Sequence, residues 1–285
     1  MLPAATGLLA GACPFDRAGV VADEKLFGAG PTGTVQTFGA WDGDELAGVA
    51  AIAANRIRVL AVMPSRRGRG VGSALLAVCE AAAKATGQTV LRTLDQPGNY
   101  LAPGIDERNV ETIAWLERRG FTKTGEPRSN VLIDVRGNPK VSSRRVEALT
   151  AAVAERGYEA RRARPDETEL LTAVTTEFGG AWPFELARAL EHSPVGVHVA
   201  LKDGAYCGFA AHDGNNRGLG WFGPTGTWPA HRGQGLGEVL LVACLVDVAE
   251  AHAQCEVAWI GPRPFYDKVA GVAADRRFFL MMKPL

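Results

Sequence analysis

The chain has 285 residues, 47% hydrophobic and 22% charged, a globular composition with length for two domains at roughly 150 residues each, which excludes a disordered chain and a disulfide-stapled miniature. Acidic and basic side chains balance at 31 each, so the field that draws proteins to nucleic acid or anionic lipid is missing, and the expected partner is small. No apolar run approaches the ~18 residues of a membrane span, and five cysteines without CxxC spacing indicate no metal site, no disulfide framework and a reducing, cytoplasmic setting.

Met1–Cys13 is apolar and ends in LLAGAC, but no Lys or Arg precedes the apolar stretch, so it reads as a strand or loop of a first domain rather than a processed leader. Phe38–Trp41 and Leu46–Ile52 flank the turn Asp42-Gly43-Asp44 as a hairpin, and Ile57–Met63 follows as a strand. After a glycine cluster, Leu75, Leu76, Cys79, Ala82 and Ala83 keep helical spacing. Gln96–Asp106 is a long loop, which commonly has a functional part; a plain surface excursion is the alternative. Val131–Val135 reads as the last strand of the first domain, and Arg136–Lys140 as a connector. The expected domains are therefore 1–138 and 139–285.

In the second half, Ser142 or Ser143 caps a helix over 144–155. Tyr158–Ala163 is a strand, and Pro165-Asp166-Glu167 opens a helix. Strands Val195–Leu201, Tyr206–His212 and Leu219–Phe222 lead to a second glycine cluster, followed by Leu240, Leu241, Cys244, Leu245 and Val248 at helical spacing. The two clusters are copies: Pro64 and Pro229, Arg67 and Arg232, Gly70 and Gly235, Leu76 and Leu241 are each 165 positions apart. A period this long indicates a duplicated domain, and much of the excess of glycine, 34 residues, lies in these loops.

A glycine-rich turn between strand and helix aims unpaired N–H groups, with the helix dipole behind them, at one point, and so suits phosphate. The first loop offers Arg67, Gly68, Arg69, Gly70, Val71, Gly72 and Ser73. The second offers Arg232, Gly233, Gln234, Gly235, Leu236, Gly237 and Glu238. Neither ends in Gly-Lys-Ser/Thr, which argues against ATP hydrolysis, and neither completes G-x-G-x-x-G.

Strand, then x-x-Pro-x-x-Arg-Gly-x-Gly-x-Gly, then an apolar helix resembles motif A of the GCN5-related N-acetyltransferases. The family's next landmark, Asn-x-x-x-x-Ala-x-x-Tyr-Glu-Lys-x-Gly-Phe, is matched by Asn109 to Phe121, one residue shorter after Ala114, with Leu116 in the tyrosine position. It is matched more loosely by Phe265 to Val272, which keeps Tyr266. The resemblance covers both halves from about Phe38, in a tandem organisation also seen in mycothiol synthases, where the C-terminal half is active. It implies an α/β (α+β) fold of two tandem domains, each a mixed, mostly antiparallel central sheet flanked by helices.

The resemblance further implies acetyl-CoA as cofactor and transfer of acetyl to the amine of a small-molecule acceptor by direct attack, by a monomer or homodimer. The pyrophosphate would lie on the two loops, with Asn109 nearby. Backbone groups of Leu60, Ala61 and Val62, or of Thr225, Gly226 and Thr227, would hold the pantetheine arm and the acetyl carbonyl. Tyr266 is the expected proton donor to the leaving thiolate, which favours the second half as the catalyst, and His212 and Glu185 are the candidate bases. A coenzyme A-binding sensor or scaffold, with one or both halves inactive, is the competing reading.

Overall fold

The computed structural model describes residues 1–285. Met1–Cys13, expected as strand or loop, is instead mostly helix α1 (Leu2–Ala12). Pro3 occupies its first turn, where a missing N–H is tolerated. Ala5, Leu8 and Leu9 are buried on one face, while Gly7 and Gly11 face open space. There follow α2 (Ala22–Leu26), β1 (Val35–Asp42), β2 (Glu45–Ala53), β3 (Arg56–Val62), α3 (Val71–Ala85), β4 (Val90–Thr93), β5 (Ile105–Asp106), α4 (Val110–Glu117) and β6 (Thr122–Lys123). The chain continues through β7 (Arg128–Asp134), α5 (Ser143–Ala154), β8 (Glu159–Arg162), α6 (Glu169–Glu177), α7 (Trp182–Leu190), β9 (Val197–Lys202), β10 (Ala205–His212) and β11 (Trp221–Thr227). It closes with α8 (Leu236–Ala251), β12 (Gln254–Val257), α9 (Arg263–Ala270), β13 (Ala274–Phe279) and β14 (Met281–Pro284).

Of the two candidate caps, Ser142 is the one used: its side chain accepts from the Arg145 N–H at 3.4 Å. The helix expected at Pro165 begins four residues later, at Glu169. Glu167 is buried and committed elsewhere. Its carboxylate accepts from the Arg161 guanidinium at 2.8 and 2.9 Å, the Arg164 N–H at 2.8 Å and the Tyr206 hydroxyl at 2.9 Å. Despite burial, these donors hold it down at about 2.

Two compact units result, Met1–Ser129 with Arg276–Leu285, and Asn130–Asp275. This moves the expected boundary from 138 to 129 and returns the last ten residues to the first unit. Pairing across the sheets is the reason. Val131–Val135, expected to finish the first domain, lies largely in β7, which pairs antiparallel with β12 (Val131 with Val257, Ile133 with Cys255). At the other end of the chain, β14 inserts antiparallel between β4 and β6, pairing Met282 with both Arg92 and Thr122. Each unit's sheet thus takes a strand from beyond its own sequence half.

The first unit has strand order β1-β2-β3-β4-β14-β6 and the second β7-β12-β11-β10-β9-β8. In both, the only parallel pair is the one ahead of the glycine-loop helix, β3 with β4 and β11 with β12. Helix α3 buries Leu75, Leu76, Cys79 and Ala83 against Ala50, Ile52, Leu91 and the returning Met281. Helix α8 is buried nearly all round, since α5 covers the side turned from the sheet.

Candidate active site

The two loops share one backbone conformation. Arg67 and Arg232 are extended (φ −65°, ψ 157° and φ −67°, ψ 155°), and Gly70 and Gly235 are left-handed N-caps at φ 86°. Gly68 and Gly233 also take positive φ, 75° and 77°, which only glycine adopts without strain. In both loops the arginine Nε donates back to the end of the preceding strand, Arg67 to the Val62 carbonyl at 3.4 Å and Arg232 to Thr227 at 3.3 Å.

In both units the parallel pair separates as it approaches the loop. β3 and β4 pair only at Arg56–Arg92 and Ile57–Thr93, and β11 and β12 only at Trp221–Glu256 and Phe222–Val257. The Met63 N–H donates to Ala47 on β2 and the Trp228 N–H to Cys207 on β10. Strand alternation then puts the peptide groups of Leu60 and Val62, and of Thr225 and Thr227, on the opened edge. The peptide groups of Ala61 and Gly226 turn the other way.

In the first unit the opening is a cavity of about 1050 Å³. One end is the loop, with Arg67, Gly68 and Gly70 to Ser73, beside Arg118 and Arg119 from the end of α4. Leu60 to Val62 and Asn109 to Thr112 form walls, and Cys13 to Asp16 border it after α1. The far end, where β3 and β4 part, is Ile57, Thr93, Leu94, Leu101 and Ile105, with Leu116 from α4. The long Gln96–Asp106 segment therefore contributes to the wall. Arg69, also expected on the cofactor, is exposed and outside this lining.

Residues 33–123 match the family model for the acetyltransferase (GNAT) domain. A GCN5-related glucosamine N-acetyltransferase region of a fungal multi-domain GH3 β-N-acetylglucosaminidase is similar over 99% of this chain, at 16% identity and a TM-score of 0.75. This chain spans only 36% of that one. A tandem GNAT protein from the clavulanic acid biosynthesis pathway matches over 99% of this chain and 94% of its own, at 20% identity and a TM-score of 0.70. A GCN5-related N-acetyltransferase from Sphaerobacter thermophilus matches over 99% and 92%, at 18% identity and 0.63. The chain is a tandem GNAT-fold protein. No curated protein matches it by sequence.

The two GNAT units differ around their loops. In the first, Ser73 in the first turn of α3 accepts from Arg119 at 2.8 Å, and that guanidinium stacks 4.0 Å over the Trp115 ring. In the second, the position of Ser73 is taken by Glu238, whose carboxylate pairs with Arg145 at 2.6 Å. Arg156 donates to the Gln234 carbonyl at 2.7 Å, and Leu236 is buried in the core. Behind each loop an aromatic of the second landmark helix packs on a glycine. A Cβ on Gly72 would stand 3.2 Å from Trp115, and one on Gly237 would stand 3.5 Å from Phe265. The packing of these two rings on the loop glycines was not read from the sequence, although each directly precedes the landmark's tyrosine position.

The expected bases are not brought to either loop. His212 pairs with Phe222 at the start of β11, five residues, roughly 16 Å at ~3.3 Å each, from the strand end that feeds the loop. There it meets Asp213 at 3.0 Å and Asp247 at 3.4 Å. Asp247 also pairs with His198 at 2.7 Å and Arg162 at 2.7 Å. Burial opposes the charge on His212, but its two carboxylate partners raise it to about 9. Burial likewise opposes charge on Asp247, and its cationic neighbours hold it well below the usual carboxylate range. Glu185 is buried in the first turn of α7, its main chain against Gly214 in the turn beyond His212. Both residues therefore lie away from the glycine loop, with His212 beside Phe222, the last residue of β11 to pair with β12 before the two strands part. The alternating pattern of the strand is blind to which end of it faces the loop.

Tyr266 lies on α9 in the core of the second GNAT unit, its ring edge-on to Phe265 at 5.1 Å. Burial pushes its phenol up to about 12, so it is a neutral hydroxyl at pH 7.

Proposed function

We propose that the protein is an acyltransferase that binds an acyl-CoA, such as acetyl-CoA, in the first unit and passes the acyl group to the amine of a small-molecule acceptor. The observation that carries this reading is the single cavity joining an arginine-flanked glycine loop to the opened edge of β3. The pyrophosphate would rest on the N–H groups of Gly70 to Ser73 at the start of α3, with Arg67, Arg118 and Arg119 around it. The pantetheine arm would lie along β3, hydrogen-bonded to the peptide group of Leu60 and the N–H of Val62, whose carbonyl accepts from Arg67.

The acceptor nitrogen attacks the thioester carbonyl carbon, and the tetrahedral oxyanion is met by an N–H of that edge. The C–S bond then breaks, the amide forms, and coenzyme A leaves as a thiolate that takes up a proton.

Two observations favour other arrangements. Leu116 has no proton to give, which suits a unit that holds coenzyme A without turnover, as a sensor or scaffold. Tyr266 retains a hydroxyl, which suits chemistry in the second unit, although the Glu238 carboxylate in its anion loop opposes a bound pyrophosphate there.

Calorimetric titration with coenzyme A, followed by a thiol-release assay with acetyl-CoA over a panel of amines, tests the proposal. One coenzyme A per chain and turnover with at least one amine are expected. Absence of binding, or binding unaffected by changes at Gly70, would overturn it.

A further inference from the structure

The far end of the cavity has a chemistry that acetyl does not need. Ile57, Leu94, Leu101, Ile105 and Leu116 line it, and all are purely hydrocarbon. The one hydroxyl among them, on Thr93, is turned to the Met281 carbonyl at 3.4 Å. Leu116 stands where the family resemblance places a tyrosine, so a phenol is replaced by apolar surface at the point where β3 and β4 diverge.

This wall is built in advance of any ligand. Leu101 and Ile105 belong to the segment after β4, which is pinned from beneath by buried polar groups. The Asn99 amide nitrogen donates to the carbonyls of Glu24, Gly28 and Ala29 at 3.1, 3.3 and 2.8 Å, and its oxygen accepts from Lys25 at 2.8 Å. Gln96 accepts from Arg58 and donates to Thr32 at 3.1 Å. Gly104 abuts the Phe279 carbonyl so closely that a Cβ there would stand 2.6 Å from its oxygen. A preformed apolar recess at the end of a channel is a binding site for hydrocarbon.

We infer that the acyl group carried by the donor is longer than acetyl, a short unbranched chain from propionyl to hexanoyl whose tail lies between Leu94, Leu101, Ile105 and Leu116. This rests on the reading of the first unit as the coenzyme A site. Each methylene removed from water into such a recess tightens binding by roughly fourfold. The chemistry of transfer is unchanged: the same C–S bond breaks, the same amide bond forms, and the tail takes no part.

The test needs no acceptor. Free coenzyme A and its acetyl, propionyl, butyryl and hexanoyl thioesters are titrated into the intact protein by calorimetry. Butyryl-CoA is expected to bind at least tenfold tighter than acetyl-CoA. Leu101→Trp, and independently Ile105→Phe, which fill the recess from different backbone positions, should each reduce that ratio to below threefold. A flat wild-type series with free coenzyme A still bound overturns the longer acyl group and leaves the coenzyme A site standing. Failure of free coenzyme A to bind overturns both.

Discussion

The loop at 67–73 and the loop at 232–238 have nearly identical backbones and different surroundings. Their left-handed glycines agree within a few degrees, and both arginines reach back to the strand they follow. Around the first stand a serine, two further arginines and an open cavity. Around the second stand a carboxylate in the first helical turn and cations already committed to it and to the loop's own carbonyls. Glycine is required by the shape of the turn, whatever that turn binds. Conserved grammar between the copies therefore reports a shared fold, and anion binding has to be read from the side chains that frame it.

The sharpest way to break this contrast is to place a carboxylate in each loop. Gly70→Glu is expected to weaken coenzyme A binding by more than 100-fold, while Gly235→Glu leaves its affinity and stoichiometry within twofold. Both variants carry the same cost of about 1–2 kcal/mol for a side chain at positive φ, so calorimetry on the pair separates strain from charge. Equal losses would mean that the second loop also holds the cofactor. Transplanting the second loop's acid with Ser73→Glu should weaken binding by at least tenfold, since Arg119 would pair with the new carboxylate in place of phosphate.

Tyr266→Phe addresses turnover. With the chemistry in the first unit, kcat stays within twofold of wild type, whereas a drop of tenfold or more relocates the chemistry to the second. The smallest expected effect is on pH dependence. All five histidines, His192, His198, His212, His231 and His252, belong to the second unit. The pKa of His212 is raised from 6.5 to about 9 in the folded state. Its contribution is therefore fully present below pH 6.5 and lost as pH rises through 9. Urea unfolding of the second unit should show declining stability over that window, while coenzyme A affinity, which the proposal assigns to the first unit, stays flat. Asp247→Asn should remove much of the decline.

Much of the local structure was legible because it is written in local chemistry. The hairpin at Asp42–Asp44 and the helices after Gly72 and Gly237 follow from turn residues and from apolar spacing. The loops were found through their repeat, and the opened strand edges follow the family resemblance. What escaped detection depends on partners distant in sequence. Nothing in Val131–Val135 says that it will pair with Gln254–Val257, and nothing in Met281–Pro284 says that it belongs beside Val90–Thr93. The ion network that ties His212 to Asp247, 35 positions onward, leaves no trace in its own strand. Leu101 and Ile105 lay in a segment suspected of a role, but only the buried Asn99 and Gln96 beneath them explain how a loop becomes a wall.

The return of β14 also bears on synthesis. The second unit, Asn130–Asp275, is one unbroken stretch, with β13 (Ala274–Phe279) running past its end. The first unit, although made earlier, lacks an internal strand of its sheet until Met281–Pro284 are made. The sheet of the N-terminal half is thus closed only by the end of the chain, and a nascent chain stalled before Arg276 would leave a gap between β4 and β6.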